Sequence, residues 1–340
     1  MKNFKYFNKN TLGQILALRD NETKLGEKIC YSNGLDFEKF LQETEAKFIV
    51  YGIKEFVGIK ANNGRIGSLH NWEIFLNSFL NIQNNKYLKG QNIAVVGCFD
   101  FDESITDLDA IDDVNELYDI VNEIDKEITF INSLIHKYNK YPIVIGGGHN
   151  NAYGNLKGLA LAKGQKINVV NFDAHTDFRA LEGRHSGNGF SYAFDEGFLG
   201  QYVIFGAHEN YLNKHMLQQF KANVDSIKMF TYDDMMVTGI SDFDTNITQA
   251  LKLVKGTYYG VEIDLDAIEN VSSSAMSPSG FSVLDARKFT YKLAQSDKAS
   301  YLHICEGSAS LGVMPQAQLG KLITYLVTDF MKSKLALEKE

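Results

Sequence analysis

Apolar residues fall into two alternating patterns along this chain: short unbroken runs, and longer stretches in which they recur every three or four positions. The runs at residues 47–53, 92–97, 142–145, 167–172, 201–205, 227–231, 258–265 and 300–305 are rich in β-branched and aromatic residues and predict strands. Most lack a polar alternate face, so both sides of the sheet they form must be covered. Between them, residues 112–137 set Val114, Leu117, Tyr118, Val121, Ile124, Ile128, Ile131, Leu134 and Ile135 at helical spacing. Similar patterns predict helices over residues 151–162, 210–221, 245–254, 283–295 and 319–334. The alternation predicts a three-layer α/β fold: a mostly parallel eight-stranded sheet with helices on both faces. Residues 1–45 carry weaker patterning and are expected as an N-terminal appendage to one α/β domain over residues 46–340. There is no internal repeat, low-complexity tract or Pro/Ser/Gly-rich linker.

Three of the predicted strands end in residues that carry chemistry. Asn171-Phe-Asp-Ala-His-Thr-Asp-Phe-Arg179 sets Asp173, His175 and Asp177 two apart directly after an apolar run. In an extended chain alternate side chains share a face, so these groups converge. Tyr141-Pro-Ile-Val-Ile-Gly-Gly-Gly-His149 breaks at its glycines and delivers one histidine. Tyr258-Tyr-Gly-Val-Glu-Ile-Asp-Leu-Asp266 places Asp264 and Asp266 two apart. Ligands of parallel sheets bind beyond the carboxyl ends of the strands, where all three motifs stand. Four aspartates and two histidines hold too much carboxylate for one cation but suit a pair. Oxygen-rich ligands with some imidazole favour Mn²⁺ over thiolate-loving metals, although affinity order leaves Fe, Co, Ni and Zn open. The glycine turn also has the form of a phosphate cradle, but no Gly-Lys-Ser/Thr follows it.

Composition narrows the partners. A 340-residue chain with 44% hydrophobic residues buries a sizeable core. Its net charge of −8 and the lack of a Lys/Arg cluster argue against nucleic acid and for a small-molecule substrate. Cys30, Cys98 and Cys305 are odd in number and widely spaced, which predicts no disulfide framework and fits a reducing cytoplasm. No apolar run is long enough for a membrane span, and homo-oligomerisation is left open. His70, His136, His215 and His303 have no partner in the pattern and read as structural or surface residues.

Over roughly residues 50–330 the motifs resemble those of the ureohydrolase (arginase/agmatinase) superfamily, whose members carry Gly-Gly-x-His, Asp-Ala-His-x-Asp and Asp-x-Asp at successive strand ends. Within it the chain is most similar to the formimidoylglutamase branch. That rests on Gly148-His149 where arginases usually have Asp-His, Asp177-Phe-Arg179 where they have Asp-x-Asn, and Arg184-His-Ser-Gly187. The resemblance implies an arginase-like fold, two Mn²⁺ per chain and hydrolysis of a linear C–N bond by a metal-bridging hydroxide. The implied reaction turns N-formimidoyl-L-glutamate and water into L-glutamate and formamide, as in histidine degradation. An agmatinase-like activity and a catalytically silent relative acting in binding or assembly are the alternatives.

The same resemblance implies one metal on His149, Asp173, Asp177 and Asp264 and another on His175, Asp173, Asp264 and Asp266. It matches His185 to a mobile proton-transfer histidine and Glu306 to the carboxylate that pairs with the substrate's amidinium. Asp177 is a second route for the leaving group's proton, and Arg179 is expected on a substrate carboxylate or on Glu182. Two departures stand out: Glu262 replaces the usual Ser before the first aspartate of the third motif, and Glu269-Asn270 replaces Asp-Pro. His208 stands where many relatives have Arg or Gln, and Arg65 lies in a stretch similar to the family's N-terminal Gly-rich loop.

Overall fold

The computed structural model describes all residues except 33–35, 66, 68–69, 102–109 and 339–340. Its strands are β1 (Phe4–Tyr6), β2 (Phe48–Lys54), β3 (Ile93–Asp100), β4 (Tyr141–Ile145), β5 (Ile167–Phe172), β6 (Leu199–Ala207), β7 (Ile227–Thr231), β8 (Tyr259–Asp264) and β9 (Ala299–Cys305). They form one nine-stranded sheet in the order β1-β3-β2-β4-β9-β8-β5-β6-β7. Eight strands match the expected runs to within a few residues. The ninth, β1, comes from the N-terminal segment and pairs antiparallel with β3, Phe4 opposite Phe99. Three residues are too few to announce themselves by alternation.

The helices are α1 (Lys9–Ile15), α2 (Phe37–Glu43), α3 (Val57–Ala61), α4 (Asn71–Phe79), α5 (Val114–Lys137), α6 (Asn151–Lys163), α7 (Gly189–Asp195), α8 (Lys214–Ala222), α9 (Phe243–Val254), α10 (Val283–Leu293) and α11 (Gln316–Leu337). Five of these, α1 to α4 and α7, were not among the expected helices. For α4 the signal was present: Trp72, Phe75, Leu76 and Phe79 recur at helical spacing and are all buried. The others run only five to seven residues, too short for periodicity to show.

Two layers of helix cover the sheet because successive strand residues face opposite ways. Ile143 and Ile145 join Val170, Phe172, Val261 and Ile263 in the core under α4, α9, α10 and α11. Val144 faces the other side, with Ile49, Tyr51 and the α5 stripe of Leu117, Val121, Ile124, Ile128, Ile131 and Ile135. A third cluster continues that side under α6, α7 and α8, around Val169, Tyr202, Ile204 and Tyr301. Burying a side chain of this size contributes about 1.5–3 kcal/mol each, so the central strands are held from both faces. Among the described residues no helix is long and apolar enough to cross a membrane.

The strand order decides where the chemistry sits. Strands β4, β9, β8 and β5 are neighbours at the centre of the sheet, although they lie far apart in sequence. Every candidate ligand stands at or just past the carboxyl end of one of these four.

Candidate metal centre

After β4 the chain passes through Gly146 and Gly147 at φ 93° and 74°, backbone that side chains rarely tolerate. A Cβ on Gly147 would stand 2.4 Å from the Asn151 amide nitrogen. The turn fixes His149 at the mouth of α6. There its backbone N–H donates to Glu306 Oε1 at 2.7 Å, and the Gly148 N–H donates to Glu55 Oε1 at 2.8 Å. Glu55 is buried and also receives the Asn151 amide at 2.6 Å, so one carboxylate knits this turn together. The other ligands leave β5 and β8 directly. Each Asp-x-His or Asp-x-Asp step is closed by a local bond: His175 N–H to Asp173 Oδ1, and Asp266 N–H to Asp264 Oδ1, both at 2.7 Å.

All six candidate ligands come together. His149 Nδ1 lies 2.7 Å from Asp177 Oδ2 and 3.3 Å from both Asp173 Oδ2 and Asp264 Oδ2. Asp173 turns its other oxygen to His175 Nδ1 at 3.5 Å. Ligand atoms of His149, Asp173, Asp177 and Asp264 lie within 4.8 Å of one another, as do those of His175, Asp264 and Asp266. The two groups share Asp264, and Asp173 faces both histidines. Asp177 adopts φ 42°, an uncommon backbone for a residue with a Cβ. A Cys305 thiol also stands near His149 and Asp264.

Electrostatics explains why such a cluster calls for cations. Burial, then the charges of Asp266 and Asp173, hold Asp264 well above the ordinary carboxylate range. Burial and Asp173 likewise raise Asp177, and burial raises Asp266. For Asp173 burial is outweighed by the facing His149 and His175, which hold it low. Burial opposes protonation of His149, yet Cys305 and Asp177 drive it well above its usual value. His175 rises to about 11 against burial, through Asp173 and Asp266. Without cations, protons must serve as the neutralising charge. The donor set fits a dication pair on a further observation: both ring nitrogens of His149 are fully enclosed and make no hydrogen bond. A buried imidazole facing three carboxylates is suited to a cation.

A cavity of about 500 Å³ opens above the ligands, lined among others by His175, Asp177, Asp264, Asp266, Glu306, Asn62, Arg179, Tyr211 and Asn213. Glu306, at φ 60° just past β9, is raised to about 8 by burial and by Asp266. Its Oε2 accepts from the Ser274 hydroxyl, and the Ala275 N–H donates to Asp266 Oδ1 at 3.2 Å. The serine-rich loop after β8 therefore braces both carboxylates, contacts that the sequence left unassigned. Arg179 is the one Arg or Lys among the described lining residues. Its guanidinium donates to Asn62 Oδ1 at 2.8 Å and pairs with Glu182 at 3.2 Å.

His185 is placed differently from the expected mobile loop histidine. Its side chain is buried, Nε2 lies 3.2 Å from Glu182, Nδ1 accepts from the Gly187 N–H at 3.1 Å, and it is not among the cavity-lining residues. Burial leads the causes that lower it to about 4. Neighbouring Arg184 is also buried and clamps the same loop through Asp125 at 2.9 Å and Asn188 at 2.6 Å. His208 stacks between Tyr211 and Tyr232, with ring centroids 5.6 and 4.5 Å away, and Arg65 is exposed outside the cavity.

Sequence reasoning missed a polar layer below the ligands. Glu262 and His303 are cross-strand partners on β8 and β9, and Asn171 on β5 is the next partner of Glu262. Glu262 Oε2 lies 2.6 Å from His303 Nδ1, and Glu262 Oε1 accepts from the Tyr301 hydroxyl at 2.7 Å. Burial would raise Glu262, but facing His303 and His149 bring it down to about 2. The only sequence signal was Glu262 itself, a charge inside an apolar run two residues before Asp264.

Comparison with known proteins agrees with this architecture. The family model described as Arginase family matches residues 75–325. A formimidoylglutamase of Streptococcus gordonii is 28% identical over 225 residues, which is 64% of this chain and 63% of that protein. The chain thus spans under two thirds of the length of this curated relative. Among solved structures, formimidoylglutamase from Bacillus subtilis superposes with a TM-score of 0.74 at 15% identity, covering 94% of this chain and 95% of that one. Formiminoglutamase of Trypanosoma cruzi, solved with Mn²⁺, gives 0.69 at 16% identity over 92% of this chain and 99% of that one.

Proposed function

This chain belongs to the arginase family, and we propose that it is a di-manganese hydrolase that converts N-formimidoyl-L-glutamate and water to L-glutamate and formamide. The observation that carries the reading is one arrangement: two overlapping ligand groups form the floor of a cavity with a carboxylate, Glu306, beside them and a guanidinium, Arg179, on the wall. His149, Asp173, Asp177 and Asp264 would hold one Mn²⁺, and His175, Asp173, Asp264 and Asp266 the other. Similarity to formimidoylglutamases, one of them solved with Mn²⁺, supports the metal and the substrate alike.

When bound, the dication pair supplies a water acidified enough to attack at neutral pH. The chain's own groups do the rest. Glu306, anchored by the His149 N–H and the Ser274 hydroxyl, points its carboxyl into the cavity and pairs with the amidinium. Its neighbours hold that geometry before substrate arrives, so little reorganisation is needed. Asp177 lines the cavity between ligand cluster and substrate and carries the proton to the leaving nitrogen. Arg179 recognises a substrate carboxylate through a forked contact, in exchange for Glu182. His185 joins the proton path only if the loop that buries it opens.

The test is an assay of the Mn²⁺-loaded protein against formimidoylglutamate, agmatine, arginine and guanidinobutyrate, scoring formamide against urea, with a chelated control. Metal-dependent formamide from formimidoylglutamate is the expected result. Urea from agmatine or arginine without formamide overturns the substrate and favours the agmatinase-like alternative. No turnover and no metal uptake favours a silent relative.

A further inference from the structure

His149 presents Nδ1 to three carboxylates, so its other nitrogen must carry the ring proton if Nδ1 is to offer a lone pair to a cation. That nitrogen is fully enclosed and makes no hydrogen bond. The carboxylate facing it is Glu262, whose Oε2 lies 3.7 Å from Nε2. Closing that gap to an ordinary N–H···O length of about 2.9 Å takes a shift of about 0.8 Å. Glu262 is two residues before Asp264, so it stands one layer below the ligand on the same face of β8.

Glu262 is itself held from below. Tyr301 donates to one oxygen and His303 contacts the other, while His303 Nε2 reaches the Gly146 carbonyl at 3.2 Å. His303 thereby bridges the Glu262 carboxylate and the Gly146 carbonyl. Through Gly146 this contact ties the glycine turn that carries His149 to the same layer. Other groups beside the His149 ring are the Cys305 thiol and, edge-on at 5.2 Å, Phe190.

We propose that Glu262 is a positioning residue for His149: with Tyr301 and His303 behind it, its carboxylate accepts the Nε2–H and thereby fixes which nitrogen, and which ring orientation, meets the metal. The inference rests on the metal reading above and adds an outer carboxylate at the position where the superfamily's third motif usually has Ser. Outer partners of ligating histidines typically change metal affinity 10–100-fold.

The test titrates apoprotein with Mn²⁺ alone, for wild type, Glu262→Gln and Glu262→Asp, and records the thermal midpoint of each apoprotein. Glu262→Gln is expected to weaken one of two binding steps by about 10–100-fold and leave the other unchanged. Glu262→Asp, which keeps the charge, is expected to retain more affinity than Glu262→Gln. A purely packing role gives the reverse order, because Gln preserves volume and Asp leaves a gap. Wild-type affinity in Glu262→Gln, or weaker binding in Asp than in Gln, overturns the proposal. Should Glu262→Gln fail to fold, Tyr301→Phe, which removes only the hydroxyl that holds Glu262, decides: weaker binding confined to one step supports the role and wild-type binding overturns it. If wild type itself binds no Mn²⁺, the metal reading fails and takes this inference with it.

Discussion

The two ends of the ligand cluster are built on different terms. His149 is sealed: its ring has no exposure, three aspartates face Nδ1, and a buried Glu–His–Tyr layer lies beneath. His175 is open: 31% of its side chain is exposed, it lines the cavity, and it leans on Tyr211, itself at the surface. On the proposed metal reading, the difference teaches that one histidine ligand belongs to the core of the sheet and the other to the open cavity. At the outer end water and chelator have a path.

The largest expected effect comes from the residue that both ends share. Asp264→Asn removes a ligand from each group, and metal content after dialysis should fall toward zero with loss of turnover. The affinity loss should exceed the roughly 10–100-fold that outer partners give. Retention of one tightly held Mn²⁺ in this variant would break the idea of a shared ligand. Next come the single-end variants. His175→Asn should keep one Mn²⁺ per chain and lose the second, whereas His149→Asn should bind less overall and also expose the paired nature of the site. Equal retention by both, measured by elemental analysis, would erase the contrast between inner and outer ends.

Much of this was legible beforehand because the fold and the site use the same signal. The short apolar runs 142–145, 167–172, 258–265 and 300–305 announce buried parallel strands, and polar residues immediately after a buried run announce a site. What the sequence hid lies across strands rather than along them. Glu262, His303 and Tyr301 are residues 41 and 39 positions apart that meet only through the β8–β9 register. His303 read as an isolated histidine for that reason. His185 looked like a mobile loop residue because nothing local reveals that Arg184 pins the loop to Asp125 on α5, 59 positions away.

A third prediction concerns substrate rather than metal. Arg179→Ala should raise KM for formimidoylglutamate by roughly ten- to hundredfold, the 1.5–3 kcal/mol of a charge-assisted bond, with Mn²⁺ content unchanged at both ends. Steady-state kinetics beside metal analysis checks it, and an unaltered KM removes Arg179 from recognition.

Burial alone does not set a histidine's charge, and a second sealed imidazole sharpens the point. His136 on α5 is as deeply buried as His149, but among the described residues no carboxylate pairs with it. Burial, with Lys163 adding repulsion, lowers it to about 3. The folded value lies below the ordinary 6.5 of an unfolded histidine, so the stabilising preference for the neutral ring is complete above pH 6.5. It is lost as pH falls toward 3. At pH 5 the loss from this group amounts to about 2 kcal/mol. Denaturant unfolding of His136→Phe should show a flatter stability profile between pH 7 and 5 than wild type, and identical slopes would refute the assignment.

The smallest effect isolates what openness contributes at the outer end. Tyr211 stacks on His175 with centroids 4.9 Å apart at 22°, and it is the only ring among the described residues recorded against His175. Beyond burial such a pair contributes about 0.5–1.5 kcal/mol. Tyr211→Ala should therefore weaken the second Mn²⁺ step by no more than about tenfold and leave the first untouched, because Tyr211 reaches His149 only indirectly, through His175 and Asp173. A change in the first step on Mn²⁺ titration would mean that the two ends are mechanically coupled, and the distinction between a core-held cation and a substrate-facing one would have to be given up.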